Sequence, residues 1–344
     1  MQKFLPALLL FSMSLAAWAQ EPDAEGSFVK WMSLEEAMKK NETAPKPLLV
    51  DFYTSWCGWC KHMMKTTYAD QNLAGYINTY FYPVKFNAED KDTIEYLGRK
   101  YGPTSDAPRA PNELTVALLK KDLVYPTTLF LNSYDKTKKE FAVNMLAAGY
   151  LDRQKIEPIL IYNVENVFRS ASFDDFQAEF TKAFYDTAVT PPKVKWITPK
   201  EAFKDTVSKK KTLVFIHTGW CNSCNVMEKT SFSDTSVAAY LEKTFNLVSF
   251  DAQSSDTIRF KGQTFVNPGV PSPFHQLAQA LSRNGLILPG LVVLDEKMDP
   301  VDAISYYIHP KFLHDIAHFY GDNVYQKKSW QEFVKDVHPE PKTN

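Results

Sequence analysis

Two short apolar runs set the frame of the chain: LLVDFY at Leu48 to Tyr53 and TLVFIH at Thr212 to His217. Both are β-prone and bounded as buried strands are, and both run into Trp-Cys-x-x-Cys at the start of a helical pattern. The next strands are predicted at Phe81 to Phe86 and Asn246 to Asp251. Helical periodicity returns at Ile156 to Phe168 and Phe312 to Tyr325, and again from Ser172 and Ser329 onward. The stripe Phe173, Phe176, Phe180 and Phe184 recurs at helical spacing and reads as core. Upstream, WMSLEEAM from Trp31 matches WITPKEAF from Trp196, with Ser33 and Thr198 as N-caps and Glu36 and Glu201 at the capping-box position.

These elements recur on one ruler. Trp31 to Cys57 is 26 positions and Trp196 to Cys221 is 25; Cys57 to Pro126 is 69 and Cys221 to Pro289 is 68. Spacing that agrees so closely indicates an internal duplication. Each copy reads as helix, buried strand, C-x-x-C helix, strand, an insertion with a helix, a hairpin after a proline, and closing helices. The predicted organisation is a leader over 1–19, a first domain over 20–188 and a second over 189–344, with TAVTPPKVK at 187–195 as the linker. In each insertion a Pro-rich piece precedes an apolar helical pattern, TVALLKKDL or HQLAQALSR. It either shapes what docks beside the active sulfur or simply packs.

Composition changes this picture at three points. Met1 to Ala19 carries an early Lys3, an apolar core and Ala17-Trp18-Ala19, the pattern of a secretory signal peptide. No other stretch is long and apolar enough to span a bilayer, so the mature chain is expected to be soluble and exported. The formal net charge of −1 offers no electrostatic case for nucleic acid or an anionic membrane surface. All four cysteines lie in the two C-x-x-C motifs, leaving none for a structural staple. Cys57 and Cys221 sit at helix starts, where unpaired N–H groups and the helix dipole favour a thiolate. Cys60 and Cys224 follow one turn later, within reach of a short, reopenable disulfide. A Cys₄ zinc site is the competing reading, and the long separation of the two pairs argues against it. The helical pair His314 and His318, with His309, reads as a solvated face, while His217 either tunes Cys221 or packs.

With strand, motif and proline in place, each half resembles the thioredoxin superfamily, particularly the secreted thioredoxin-like domains related to the C-terminal domain of the DsbD transmembrane reductase. The likeness is strong at VDFYTSWCGWCK and YPTTLFL and weaker at VFIHTGWCNSC and LPGLVVL. It implies an α/β fold of two tandem thioredoxin-like domains, each a central mixed sheet flanked by helices, with a helical insertion before a cis-proline and extra C-terminal helices. By resemblance Cys57 attacks and Cys60 resolves, Asp51 is the buried acid that takes the Cys60 proton, and Lys85 is its partner. Pro126 after Tyr125, and Pro289 after Leu288, are the expected cis-prolines. These residues and Trp56, Trp59 and Trp220 are expected to meet substrate. The second copy departs from the pattern: Phe215 replaces the acid and Ser249 the lysine, so Cys221 and Cys224 are expected to resolve mixed disulfides more slowly.

The residues between the cysteines, Gly58-Trp59 and Asn222-Ser223, supply no positive charge to favour the reduced form. The expectation is therefore an exported, periplasmic thiol–disulfide oxidoreductase that reduces or reductively isomerises protein disulfides. No cofactor beyond the redox-active cysteines is expected. Since the chain has no nucleotide fingerprint, the resemblance implies a membrane electron donor of the DsbD type. The alternatives are a disulfide oxidase or isomerase, or a binding or chaperone module with a degenerate second site.

Overall fold

The computed structural model describes residues 23–120, 123–186, 194–204, 207–283 and 285–339. The leader at 1–19, the 188/189 boundary and linker residues 187–193 lie outside the described residues. Contacts between Cα atoms divide the chain into two compact units. The first is Met1–Leu129 with Lys136–Glu140 and Leu146–Tyr150; the second is Phe130–Asp135, Phe141–Met145 and Leu151–Asn344.

The first unit opens with α1 (Leu34–Thr43), whose N-cap Ser33 accepts the Glu36 N–H. Strand β1 (Leu48–Tyr53) is buried almost throughout, as its unbroken apolar run predicts, and runs parallel to β2 (Tyr82–Asn87). Between them lie α2 (Gly58–Lys65), which carries the first cysteine pair, and α3 (Gln71–Tyr80), capped by Asp70. The insertion holds a hairpin, β3 (Ile94–Tyr96) with β4 (Arg99–Tyr101), and then α4 (Glu113–Leu119). Strands β5 (Thr127–Leu131) and β6 (Val143–Ala148), each of which the division cuts, complete a sheet of order β2-β1-β5-β6.

Helices α5 (Arg153–Val164) and α6 (Phe173–Phe184) close the first sequence repeat, yet by contacts they group with the second unit. Phe176 and Phe180 are buried there, and the Phe176 ring meets Tyr307 edge-on at 5.2 Å. Phe184 lies at the edge of this packing with its face toward the Lys229 ammonium.

The rest of the second unit repeats the pattern. A single turn, α7 (Pro199–Ala202), starts with a complete capping box between Thr198 and Glu201. Strand β7 (Lys211–His217) is followed by α8 (Asn222–Lys229), α9 (Thr235–Thr244) and β8 (Phe245–Asp251), parallel to β7. The second insertion again holds a hairpin, β9 (Ile258–Phe260) with β10 (Gln263–Phe265), and a helix, α10 (Gln276–Leu281). Strand β11 (Gly290–Leu294) is antiparallel to both β7 and β12 (Pro300–Ile304), giving the order β12-β11-β7-β8. Helices α11 (Pro310–Gly321) and α12 (Trp330–Val337) end the chain. Val214, Ile216, Val248, Phe250, Val292 and Leu294 supply the sheet's share of one continuous core. Among the described residues no helix is long and apolar enough to cross a membrane.

Candidate active sites

In both units the central strand ends in a short turn that places the first cysteine as the N-cap of the next helix. Cys57 donates its N–H to Thr54 O, and Cys221 does the same to Thr218 O. The sulfur then receives the helix's third N–H: Cys60 N lies 3.0 Å from Cys57 Sγ, and Cys224 N lies 3.2 Å from Cys221 Sγ. Both pairs are closed as disulfides, Cys57–Cys60 and Cys221–Cys224. The Tyr125–Pro126 and Leu288–Pro289 bonds are cis, as is Val270–Pro271 in the second insertion, which the sequence did not single out.

On the strand that leads into the first pair, Asp51 of β1 stands beside Lys85 of β2 in the parallel register. Asp51 is fully buried; Tyr68 Oη donates to its Oδ1 at 3.4 Å, and its Oδ2 has no protein partner among the described residues. Burial pushes the Asp51 carboxyl up to about 7, against the pull of the Lys85 charge and the Tyr68 hydrogen bond. Lys85 itself pairs with Glu25, a residue the sequence reading did not select. Glu25, Lys85, Tyr53, Met64 and Cys60 line one cavity of ≈ 490 Å³, so Cys60 and this ion pair share one opening.

The outer face of the first site is aromatic. Trp56 and Trp59 are 49% and 61% exposed. Trp56 is steadied by Glu89, which accepts its Nε1–H at 3.0 Å, and by the Arg109 guanidinium over its ring; Tyr125 stands edge-on at 6.3 Å. Trp59 packs with His62 and Tyr150, the latter at 5.4 Å. Two of the aromatic residues singled out in the first copy, Trp56 and Tyr125, thus meet, while Trp59 pairs with Tyr150, which the sequence reading did not select.

The second site keeps the frame and changes the chemistry. Phe215 and Ser249 occupy the register positions of Asp51 and Lys85. Phe215 is buried against Trp196 and Phe232, where the first copy sets Asp51 against Tyr68 beside Trp31. The acid and the hydroxyl that bonds it have therefore been lost together, leaving an aromatic core. Ser249 Oγ lies 2.8 Å from His217 Nε2, and burial holds this imidazole below its ordinary value, with Glu228 and Asp251 opposing. Trp220 remains half-exposed and donates to Gln253, the counterpart of the Trp56–Glu89 pair.

A different acid stands at the second site. Glu165, the residue that ends α5, spreads its carboxylate over the start of α8: Oε1 accepts the Asn222 N–H at 3.0 Å and Oε2 the Ser223 N–H at 2.7 Å. Oε2 also lies 3.9 Å from Cys221 Sγ. Burial raises the Glu165 carboxyl above its ordinary range, and the hydrogen bonds from Ser223 and Asn222 oppose that rise. Beneath it Ser223 is buried, whereas Trp59 at the matching position of the first copy faces solvent.

Residues 20–147 match the family model Thioredox_DsbH, described as a protein of unknown function (DUF255), and residues 200–275 match Thioredoxin_7, described as thioredoxin-like. No curated protein sequence matches. Among solved structures, a thioredoxin-fold protein from Helicobacter pylori is similar at 18% identity over 40% of this chain and 88% of its own, with a TM-score of 0.30. A DsbH oxidoreductase matches at 17% identity over 35% of this chain and 72% of its own, TM-score 0.25. The C-terminal domain of DsbD from Neisseria meningitidis matches at 20% over 38% and 93%, TM-score 0.25. Scores this low leave the assignment to the family matches and the strand topology. The chain is a tandem of two thioredoxin-like regions, each carrying the C-x-x-C pair of a thiol–disulfide oxidoreductase.

Proposed function

We propose that the protein is an exported reductase of protein disulfides that works through its first site, with the second as an auxiliary. Support comes chiefly from the buried Asp51 on β1, six residues before Cys57, whose carboxyl is poised near 7 by desolvation. In the reaction, the Cys57 thiolate attacks a substrate disulfide and displaces one substrate thiolate, forming a mixed disulfide. Asp51 accepts the proton of the Cys60 thiol, and the Cys60 thiolate then attacks Cys57 Sγ. The substrate leaves with two electrons and two protons added, and the enzyme is left as the Cys57–Cys60 disulfide. Lys85 keeps the Asp51 carboxyl from rising further, and Lys85 itself lines the cavity that also reaches Cys60.

Trp56, Trp59, Tyr125 and Pro126 would receive the substrate polypeptide, with Trp220, Leu288 and Pro289 in the equivalent role at the second site. The apolar leader Met1 to Ala19 supports export to a periplasm, and a reductase there needs an electron donor across the membrane, in keeping with the DsbD-type partner. The direction is tested by the reduction potential of the Cys57–Cys60 pair, equilibrated in dithiothreitol and glutathione buffers and read by alkylation and mass spectrometry. A value near ~−270 mV agrees with a reductase; one at about −120 to −180 mV would make the protein an oxidant or isomerase instead.

A further inference from the structure

The first three free N–H groups of an α-helix form an anion site, and at a C-x-x-C helix that site stabilises the attacking thiolate. In α2 the third N–H reaches Cys57 Sγ, and no acidic side chain lies in the first turn. Space is open there: a Cβ placed on Gly58 would meet nothing within 4 Å. In α8 the third N–H likewise reaches Cys221 Sγ, but the first and second are both taken by Glu165. This is a carboxylate fork on two successive backbone donors, held from the end of α5 and partly buried.

We propose that Glu165 guards the second disulfide: its carboxylate occupies the anion position that a Cys221 thiolate would use, and so holds the Cys221–Cys224 pair oxidised until it is displaced. Two effects act in one direction. A thiolate formed at Cys221 would find two of its stabilising N–H groups already engaged and a partly buried carboxylate oxygen 3.9 Å from its sulfur. An incoming thiolate aimed at the Cys221 sulfur would meet the same charge. Glu165 is thus a positioning residue of the second site. It does not restore the lost Asp51, because it stands on the attacking sulfur rather than behind the resolving one.

The inference rests on the thiol–disulfide reading only in requiring both cysteine pairs to interconvert with dithiols. With dithiothreitol as reductant, one of its thiolates attacks a sulfur of the Cys221–Cys224 bond and breaks it. Its second thiol then displaces the protein sulfur, and the reductant leaves as a cyclic disulfide. Two electrons pass to the protein, and two protons pass from the reductant's thiols to the cysteines.

The test uses the full chain with Glu165→Gln, which keeps the shape and removes the charge, and Glu165→Ala, which removes both. In mixtures of reduced and oxidised dithiothreitol, each cysteine pair is quantified separately by alkylation and peptide mass spectrometry. Both variants are expected to move the Cys221–Cys224 equilibrium at least tenfold toward the dithiol, about 30 mV for a two-electron couple, while the Cys57–Cys60 pair stays put. In a Cys224→Ser background, the pH dependence of Cys221 alkylation should shift to lower pH when Glu165 is replaced by Gln, a change that loss of packing alone would not produce. A Cys221–Cys224 equilibrium within twofold of wild type, or one moved toward the disulfide, overturns the proposal. A Cys57–Cys60 pair that failed to interconvert at all would instead overturn the enzymatic reading.

Discussion

At the scale of single residues, the decisive group is Asp51. Its carboxyl is raised from 3.8 to about 7, so between those values the folded protein holds a proton that the unfolded chain has released. The stability this proton contributes is complete below about pH 4 and is lost as pH rises through about 7. Asp51→Asn has no proton to lose. The oxidised variant should therefore gain on wild type as pH rises from 4 to 7, reach ~2–4 kcal/mol, and stay level above that. Urea denaturation across this range checks it, and a pH-independent difference would contradict the buried-acid assignment. The same variant should accumulate mixed disulfide, with resolution slowed about tenfold or more and the initial attack by Cys57 little changed. Rapid acid quench and mass spectrometry separate the two steps.

The burial of Asp51 was legible because it interrupts an apolar run, while its part in the chemistry was implied only by the resemblance. Tyr68 was not, although the loss of its hydroxyl at Phe232 alongside Asp51→Phe215 between the copies is a joint signal that only a full alignment of the repeats exposes. Glu165 lay further out of reach. It follows a helix whose local pattern says nothing of a cysteine 56 residues away. The one trace is that an acid followed by an Asn in the left-handed region ends both α5 and α11, as Glu165-Asn166 and Asp322-Asn323.

At the scale of elements, the long buried strands and capped helices were readable, and the insertions only in part. Their helices α4 and α10 were expected, but the hairpins β3–β4 and β9–β10 were not. Strands of three residues carry too little alternation to register. Their turns, Leu97-Gly98 and Lys261-Gly262, place both residues at positive φ without the Asn or Asp that usually marks such a turn. Helix packing in the second unit supplies a sharper test. Gly321 ends α11 where it crosses α9, and a Cβ there would stand 2.5 Å from Tyr240 Oη and 2.8 Å from Thr244 Cγ2. Tyr240 Oη is not free to swing aside, since it donates to Asp322 at 2.7 Å. Gly321→Ala should therefore destabilise the protein by about 1–3 kcal/mol, although Ala alone would favour a helix by about 1 kcal/mol. A rise in the urea midpoint would mean that the helices part at little cost.

At the scale of the whole molecule, the duplication was plain from spacing, but the sequence could not tell that the closing helices of the first repeat pack with the second unit. That placement makes the two cysteine pairs unequal, beyond the loss of the buried acid. At the Cys57 pair the first turn carries no acidic side chain and a Cβ on Gly58 would meet nothing within 4 Å; at the Cys221 pair the first two N–H groups of the helix belong to Glu165. A thiolate that is better stabilised makes its disulfide easier to reduce. Titrated with dithiothreitol at neutral pH, the wild-type protein should therefore take up electrons in two separate two-electron steps. The Cys57–Cys60 pair should be reduced first, and the dominant intermediate should carry free Cys57 and Cys60 with Cys221–Cys224 still closed. Alkylation with isotopically distinct reagents before and after full reduction reads this order directly. A single four-electron transition, or prior reduction of Cys221–Cys224, would mean that the Glu165 carboxylate does not set the rank of the two sites.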